Sequence, residues 1–341
     1  MPSSISSSER IVPASPWGRI WGWSLIATVV VLAVLEAGWR MAGYTPSIVD
    51  DQALWSSWRA RVESAGPRTV VALGESRMQL AFNIPEAVSA LPGYDIIQLS
   101  IDGRAPAAAL RDIADNTSFA GIVLCSIDAN GLDPQCRDEQ QEYIDYYHNR
   151  FGPGERINRA LATVLQERLA MVNPLVNLRY LTGEWVRTRS LPNGYLTTYP
   201  DRMRLADYTR LDIDAHRSAR LAGLEDYYRR FTPAAPDEWL ASQAELERCV
   251  QAIRDRGGNV AFIFMPTGSG HAAIMEQAYP RALYWDRFAA ATGAITLLFQ
   301  DEPSLSGFDT PDDSHLDRRD TPRFTRALIS VLRDRGLFEG R

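Results

Sequence analysis

Five short apolar runs, each closed by turn residues and separated from the next by a longer segment, restrict this chain to an α/β architecture. They are Thr69–Leu73, Tyr94–Leu99, Gly121–Ile127, Asn259–Met265 and Ala294–Phe299. Each is rich in β-branched or aromatic residues, the composition of strands buried on both faces. Helical patterns separate or follow them: Pro106–Asn116, Asp237–Arg256 (ended by Gly257-Gly258), Ala272–Thr292 and Pro322–Arg335. Strands that alternate with helices demand right-handed crossovers. The expectation is a three-layer α/β/α domain over 67–335 with a five-stranded parallel sheet. The interval Gly131–Pro236 breaks the rhythm. It offers no convincing strand, Glu155–Met171 and Arg204–Arg230 read as helices, and 131–236 is read as a helical insertion that caps the sheet's C-terminal edge. Its many tyrosines can stack on sugar faces, although packing between helices is the plainer reading.

The N-terminus sets a location. Ile20–Ala37 is almost entirely apolar, with Trp17, Trp21 and Trp23 at one end and Trp39 at the other. About 20 apolar residues span a bilayer core, and tryptophans gather where a helix crosses the headgroups. Arg10 and Arg19 precede the span and Arg40 follows it, a modest bias that puts the N-terminus inside. No small-x-small site follows the apolar core and no lipobox cysteine is present, so 20–41 reads as a retained anchor rather than a cleaved leader. The division expected is a disordered Ser/Pro-rich cytoplasmic tail over 1–19, the span, a connector over 42–66 with a short helix near Gln52–Glu63, and an extracytoplasmic domain.

Two distant segments carry the chemistry. The first strand ends in Gly74-Glu75-Ser76-Arg77, which delivers a serine to the carboxyl edge of the sheet, where open α/β sheets bind ligands. The second is Asp312-Asp313-Ser314-His315, in the polar loop between the fifth strand and the last helix. A serine hydroxyl needs an imidazole to take its proton, and the imidazole needs a carboxylate to fix its tautomer. Ser76 alone reads more readily as a helix cap. With His315 at the same edge, a Ser–His–Asp arrangement becomes the better reading, and either Asp312 or Asp313 can supply the acid. Of the other histidines, His148 and His216 lie among charged residues and read as surface groups. His271 opens a helix after the fourth strand, near the expected pocket.

Composition removes alternatives. All 36 basic residues are arginine, which rules out Schiff-base and Ser–Lys mechanisms. A net charge of −6 leaves no basic footprint for nucleic acid. Cys125, Cys136 and Cys249 are too few and too scattered for a zinc site or a disulfide framework, and the sequence chooses no pair among them. Gly268-Ser269-Gly270 lacks the spacing and lysine of a phosphate loop. No metal or cofactor is expected.

Gly-x-Ser at the first strand, a glycine after the second and Asp-x-x-His-Leu before a terminal helix together resemble the SGNH (GDSL-like) hydrolase superfamily, whose fold is flavodoxin-like. The likeness covers 67–128 and 237–335. It implies Ser76 as nucleophile, His315 as base and Asp312 as orienting acid. The Asp-x-His spacing of the alginate O-acetylation branch nominates Asp313 instead. It further implies an oxyanion hole from the backbone N–H of Ser76 or Arg77 and that of Gly103. The Gly-x-Asn block is altered to Asp128-Ala129-Asn130, where Asn130 is either the third donor or a turn residue before Gly131. The anchor and the Gly-x-Ser-Arg motif make the chain similar to membrane-anchored proteins of alginate O-acetylation and teichoic-acid D-alanylation. That implies an esterase or O-acyltransferase, acetyl being the expected group, acting on envelope or exported polysaccharide. The setting it implies is the periplasmic side of a bacterial inner membrane, with a membrane-bound acyltransferase as a possible partner. A catalytically silent polysaccharide-binding or scaffold domain of an export complex is the alternative.

Overall fold

The computed structural model describes residues 16–338, so the expected disorder of 1–15 lies outside the described residues. The chain begins with helix α1 (Trp17–Met41), in which no residue is buried. Among the described residues it is one helix long and apolar enough to cross a membrane. Then follow α2 (Gln52–Val62), β1 (Thr69–Leu73), α3 (Ser76–Ala81), α4 (Ile84–Ala90), β2 (Asp95–Gln98), α5 (Ala107–Asn116) and β3 (Ile122–Ser126). The long interval holds α6 (Gln141–Asn149), α7 (Pro153–Arg168), α8 (Leu178–Thr188), β4 (Leu196–Thr198), β5 (Arg204–Ala206) and α9 (Ile213–Arg230). The chain closes with α10 (Pro236–Ala241), α11 (Ala244–Asp255), β6 (Asn259–Phe264), α12 (Ser269–Ala278), α13 (Trp285–Ala291), β7 (Ile295–Leu298), α14 (Pro303–Ser306) and α15 (Thr321–Asp334).

Five of the strands form one parallel sheet in the order β2-β1-β3-β6-β7, with Val70 opposite both Ile96 and Ile122. Every strand end lies within one residue of its sequence expectation, and the α/β class with flanking helices is as expected. The chain runs from β1 outward to β2 and then back across to β3. Right-handed crossovers therefore put α3 and α4 on one face and α5 on the other. The last helix, α15, lies beside α4, and α11 lies beside α5. Leu110, Ile113, Val250 and Ile253 from one layer and Phe324, Leu328 and Leu332 from the other are completely buried in the same core. The reversal of direction falls between β1 and β3, and sheets of this order bind ligands at the carboxyl ends of such strands.

Four expectations need correction. The interval 131–236 contains strand after all: β4 and β5 pair antiparallel, Leu196 opposite Ala206 and Thr198 opposite Arg204. Each is only three residues long. What holds them is remote, Ile48 N–H donating to Thr198 O and Thr198 N–H to Ser47 Oγ. A helix from Arg204 is likewise displaced, since α9 begins at Ile213, where the Asp212 carboxylate caps Ala215 N–H. The single helix expected over Ala272–Thr292 is two, α12 and α13, broken around Pro280, which cannot donate to an intrahelical bond. The pattern over Asp237–Arg256 likewise divides into α10 and α11, where Gln243 Nε2 donates to Trp239 O and Leu132 O. All three cysteines are buried and free.

Candidate active site

Gly74 leaves β1 at φ +151°, a conformation open to glycine but strained for other residues. A Cβ there would stand 2.8 Å from Ser126 Cβ and 2.9 Å from Met78 Cβ, so the position has no room for a side chain either. Two residues later Ser76 opens α3. Glu75 occupies the cap position and no side chain caps the helix, so the Ser76 hydroxyl is not spent on that role. Instead Ser76 Oγ lies 2.8 Å from His315 Nε2. On the far side of the ring, His315 Nδ1 lies 2.8 Å from Asp312 Oδ2. Asp312 also accepts the backbone N–H groups of Ser314 and His315 through Oδ1. The loop that carries the imidazole is thereby folded around its own carboxylate.

Asp313, the other candidate, does not meet the ring. It sits in the left-handed region at φ +67° and turns away toward 268–271. There its Oδ2 accepts His271 N–H at 3.2 Å, and its carbonyl accepts Gly268 N–H at 2.9 Å. A Cβ on Gly268 or Gly270 would collide with its carboxylate, which gives both glycines of Gly268-Ser269-Gly270 a steric reason.

The electrostatics follow from burial and partners. Burial opposes the charge on Asp312, yet the His315 imidazole and the Arg220 guanidinium hold its carboxyl well below the usual carboxylate range. Burial pushes His315 below its ordinary value, and Arg220 pushes the same way, against the pull of Asp312. Burial, with the nearby Arg77 charge, drives His271 down to about 3, so that ring is neutral at pH 7. Glu75 is pushed up to about 7, by burial and by the Asp128 carboxylate.

The remaining expected residues gather at the same rim. Arg77 turns its side chain inward to Asp128, a bond buried beneath the serine, and stands 3.5 Å from Glu75 Oε2. Its own N–H and that of Ser76 belong to the first turn of α3, which leaves them without intrahelical partners. Gly103 lies at φ +66° in the turn closed by Arg104 N–H on Ile101 O, and Ile101 N–H in turn donates to Gly74 O. The turn is thus tied to the residue two positions before the serine. Asn130 accepts the hydroxyls of Tyr227 (3.3 Å) and Tyr279 (3.4 Å) at Oδ1, which leaves its Nδ2 free to donate, among the described residues. That geometry is more than a plain turn asparagine needs.

Helix α9 supplies what the sequence did not disclose. Arg220 Nη2 reaches 3.5 Å from His315 Nε2, and its Nε stands 3.8 Å from Asp312 Oδ2. His216, read as a surface group, has its Nε2 3.9 Å from the same Asp312 oxygen and its ring against Tyr195 and Tyr208. Arg217 Nε donates to Pro311 O at 2.8 Å, which pins the helix to the histidine loop. His148 is occupied elsewhere, its Nε2 2.7 Å from Asp112 Oδ1. Ser76 and His315 lie beneath this helix with 7% and 6% of their surface exposed. A helix of arginines and one histidine carries no local mark of such a role, and only its fold over the rim reveals it.

No family model matches the sequence, and no curated protein matches it. Among solved structures, the crystal structure of TesA aligns with 78% of this chain and 98% of that one, at 13% identity and a TM-score of 0.35.

Proposed function

We propose that this chain is a membrane-tethered, extracytoplasmic serine esterase or O-acyltransferase of SGNH type, acting on esters of cell-envelope or exported polysaccharide. The observation that carries the reading is the unbroken line from Ser76 Oγ through the His315 ring to Asp312, at 2.8 Å for each step. Asp312 keeps the proton on Nδ1 and leaves the Nε2 lone pair facing the hydroxyl. Ser76 Oγ attacks the acyl carbon while Nε2 takes its proton. The bond to the leaving alcohol then breaks as His315 returns that proton to the departing oxygen, and the acyl group stays on Ser76. A second hydroxyl, from sugar or water, reverses the sequence and frees the serine.

The N–H groups of Ser76, Arg77 and Gly103 and the Nδ2 of Asn130 are assigned to the oxyanion. A donor of this kind is worth on the order of 10²–10³ in rate. The cover given by α9 favours a sugar hydroxyl over water as acceptor, because it keeps bulk solvent from the acyl-enzyme. Helix α1 would hold the domain on the outer face of the bacterial inner membrane, where a membrane-bound acyltransferase can deliver the acyl group. The near-complete cover of Ser76 also favours one rival, a catalytically silent polysaccharide-binding scaffold.

A small fluorophosphonate probe separates the two on the full chain in detergent. Stoichiometric labelling of the native protein, lost in Ser76→Ala and in His315→Ala, is expected. Absence of labelling in native, folded protein overturns the enzyme reading.

A further inference from the structure

Helix α8 buries none of its residues. A helix of eleven residues that buries nothing is marginal in water, where fewer than about 12–15 residues rarely hold the conformation alone. Its apolar residues nonetheless recur at helical spacing: Leu178 (75% exposed), Trp185 (51%) and Val186 (66%) share one side. Arg179 and Arg187 lie on the same helix and Arg189 just beyond it, the last with its guanidinium 4.8 Å from the Trp185 ring. Apolar residues with a tryptophan, bordered by arginines, are the composition of helices that lie in a bilayer interface.

The fastening of this segment says where it sits. The turn between α7 and α8 receives the end of α1: Glu36 accepts Ala170 N–H and Met171 N–H, each at 2.9 Å, and Arg40 Nη2 donates to Arg168 O. Before α8, Asn173 Nδ2 donates to Thr45 O at 2.7 Å, and after it Tyr44 OH donates to Pro192 O at 2.9 Å. Both ends of the α8 excursion are therefore tied to residues three or four positions past the last residue of the apolar helix. Helix α7, which ends at the same turn, exposes a second stripe: Ile157, Leu161, Val164 and Leu165. From Ile157 to Leu165 that stripe runs about 12 Å along the helix.

We propose that α8, with the exposed stripe of α7, is a second membrane contact. In it the apolar face enters the headgroup region of the bilayer that α1 spans, and the arginines meet anionic lipid phosphates. The inference rests on the membrane-tethered reading above. It deepens it: the domain would be laid on the surface at two places rather than left on a free stalk.

The test places single nitroxide labels on the full chain in nanodiscs of phosphatidylcholine and phosphatidylglycerol. The three native cysteines are buried, so introduced ones can be labelled selectively. Leu178→Cys and Val186→Cys probe α8, Leu25→Cys probes α1, and Arg229→Cys on α9 is the aqueous control. Collision with oxygen relative to a nickel chelate, read by power saturation, should be several-fold higher at 178 and 186 than at 229. Values at 178 and 186 equal to that at 229, with position 25 in lipid, overturn this inference and leave the anchor intact. Position 25 open to the chelate overturns both. Shielding of 178 and 186 from both reagents means a protein surface covers them, and it overturns the lipid contact.

Discussion

Asp312 and Asp313 are neighbours with opposite assignments, and the difference is set by backbone conformation rather than by chemistry. Asp312 lies under the imidazole, whereas Asp313 is turned by its left-handed φ toward Gly268 and His271. Asp312→Asn should lower kcat for ester turnover by on the order of 10⁴, since the amide favours the wrong tautomer. Asp313→Asn should lose less than about tenfold, because asparagine tolerates the left-handed region. Equal losses in steady-state assays of the two variants would show that Asp312 does not orient the base. On the proposed mechanism the acid limb of the pH profile belongs to His315. The ring works when neutral, and burial lowers its pKa below the ordinary 6.5 with help from Arg220, so activity falls as pH drops through that lowered value. Removing the arginine charge makes the imidazolium easier to form. Arg220→Gln should therefore move the acid limb of kcat/KM to higher pH, and Arg220→Lys should move it less. A limb that stays in place in Arg220→Gln would mean that the guanidinium does not act on the base.

Helix α9 lies over His315 and Asp312, and it is held lightly. None of its residues is fully buried, while α15 buries Phe324, Leu328, Ile329 and Leu332. Its fastenings are polar contacts, such as Arg217 to Pro311 O and Tyr228 OH to Met275 Sδ, and half-buried rings, such as His216 on Tyr195 and Tyr208 and Tyr228 on Tyr279. Few buried apolar contacts mean a low free energy of local opening. Hydrogen exchange followed by mass spectrometry should find α9 amides exchanging well before those of α11 and α15. Protection equal to that of α15 would exclude α9 as the moving part. The same contrast explains what the sequence disclosed. The sheet strands were legible because both of their faces are buried, which forces a continuous apolar run. Strands β4 and β5 were not, because three residues carry no period and their partners, Ser47 and Ile48, lie far back in the chain. Ser76, His315 and the aspartates announced themselves through turn composition beside strands. Arg220 and His216 look like any solvated helix face until the fold lays them over the rim.

At the scale of the whole molecule, the apolar helix is joined to the α/β domain by a polar contact set. Glu36 sits near the end of α1 and accepts three donors: Ala170 N–H, Met171 N–H and the Arg40 Nε at 2.6 Å. If α1 spans a bilayer as proposed, a carboxylate so near its end is costly unless paired, and here it gives the chain between α7 and α8 its first partners. Glu36→Ala leaves two backbone donors to find water, at a cost of about 1–3 kcal/mol for each one that stays buried. The full chain in detergent should then unfold at a lower temperature, and amides 168–173 should exchange faster. Glu36→Gln should fall between, since its single carbonyl oxygen replaces one acceptor. Labelling of Ser76 by a small probe should not change in either variant, because no contact of Glu36 reaches the serine, the histidine loop or α9. If amides 168–173 exchange at the native rate in Glu36→Ala, the joint is held by other contacts, such as Asn173 to Thr45 O and Tyr44 to Pro192 O, and the carboxylate is dispensable.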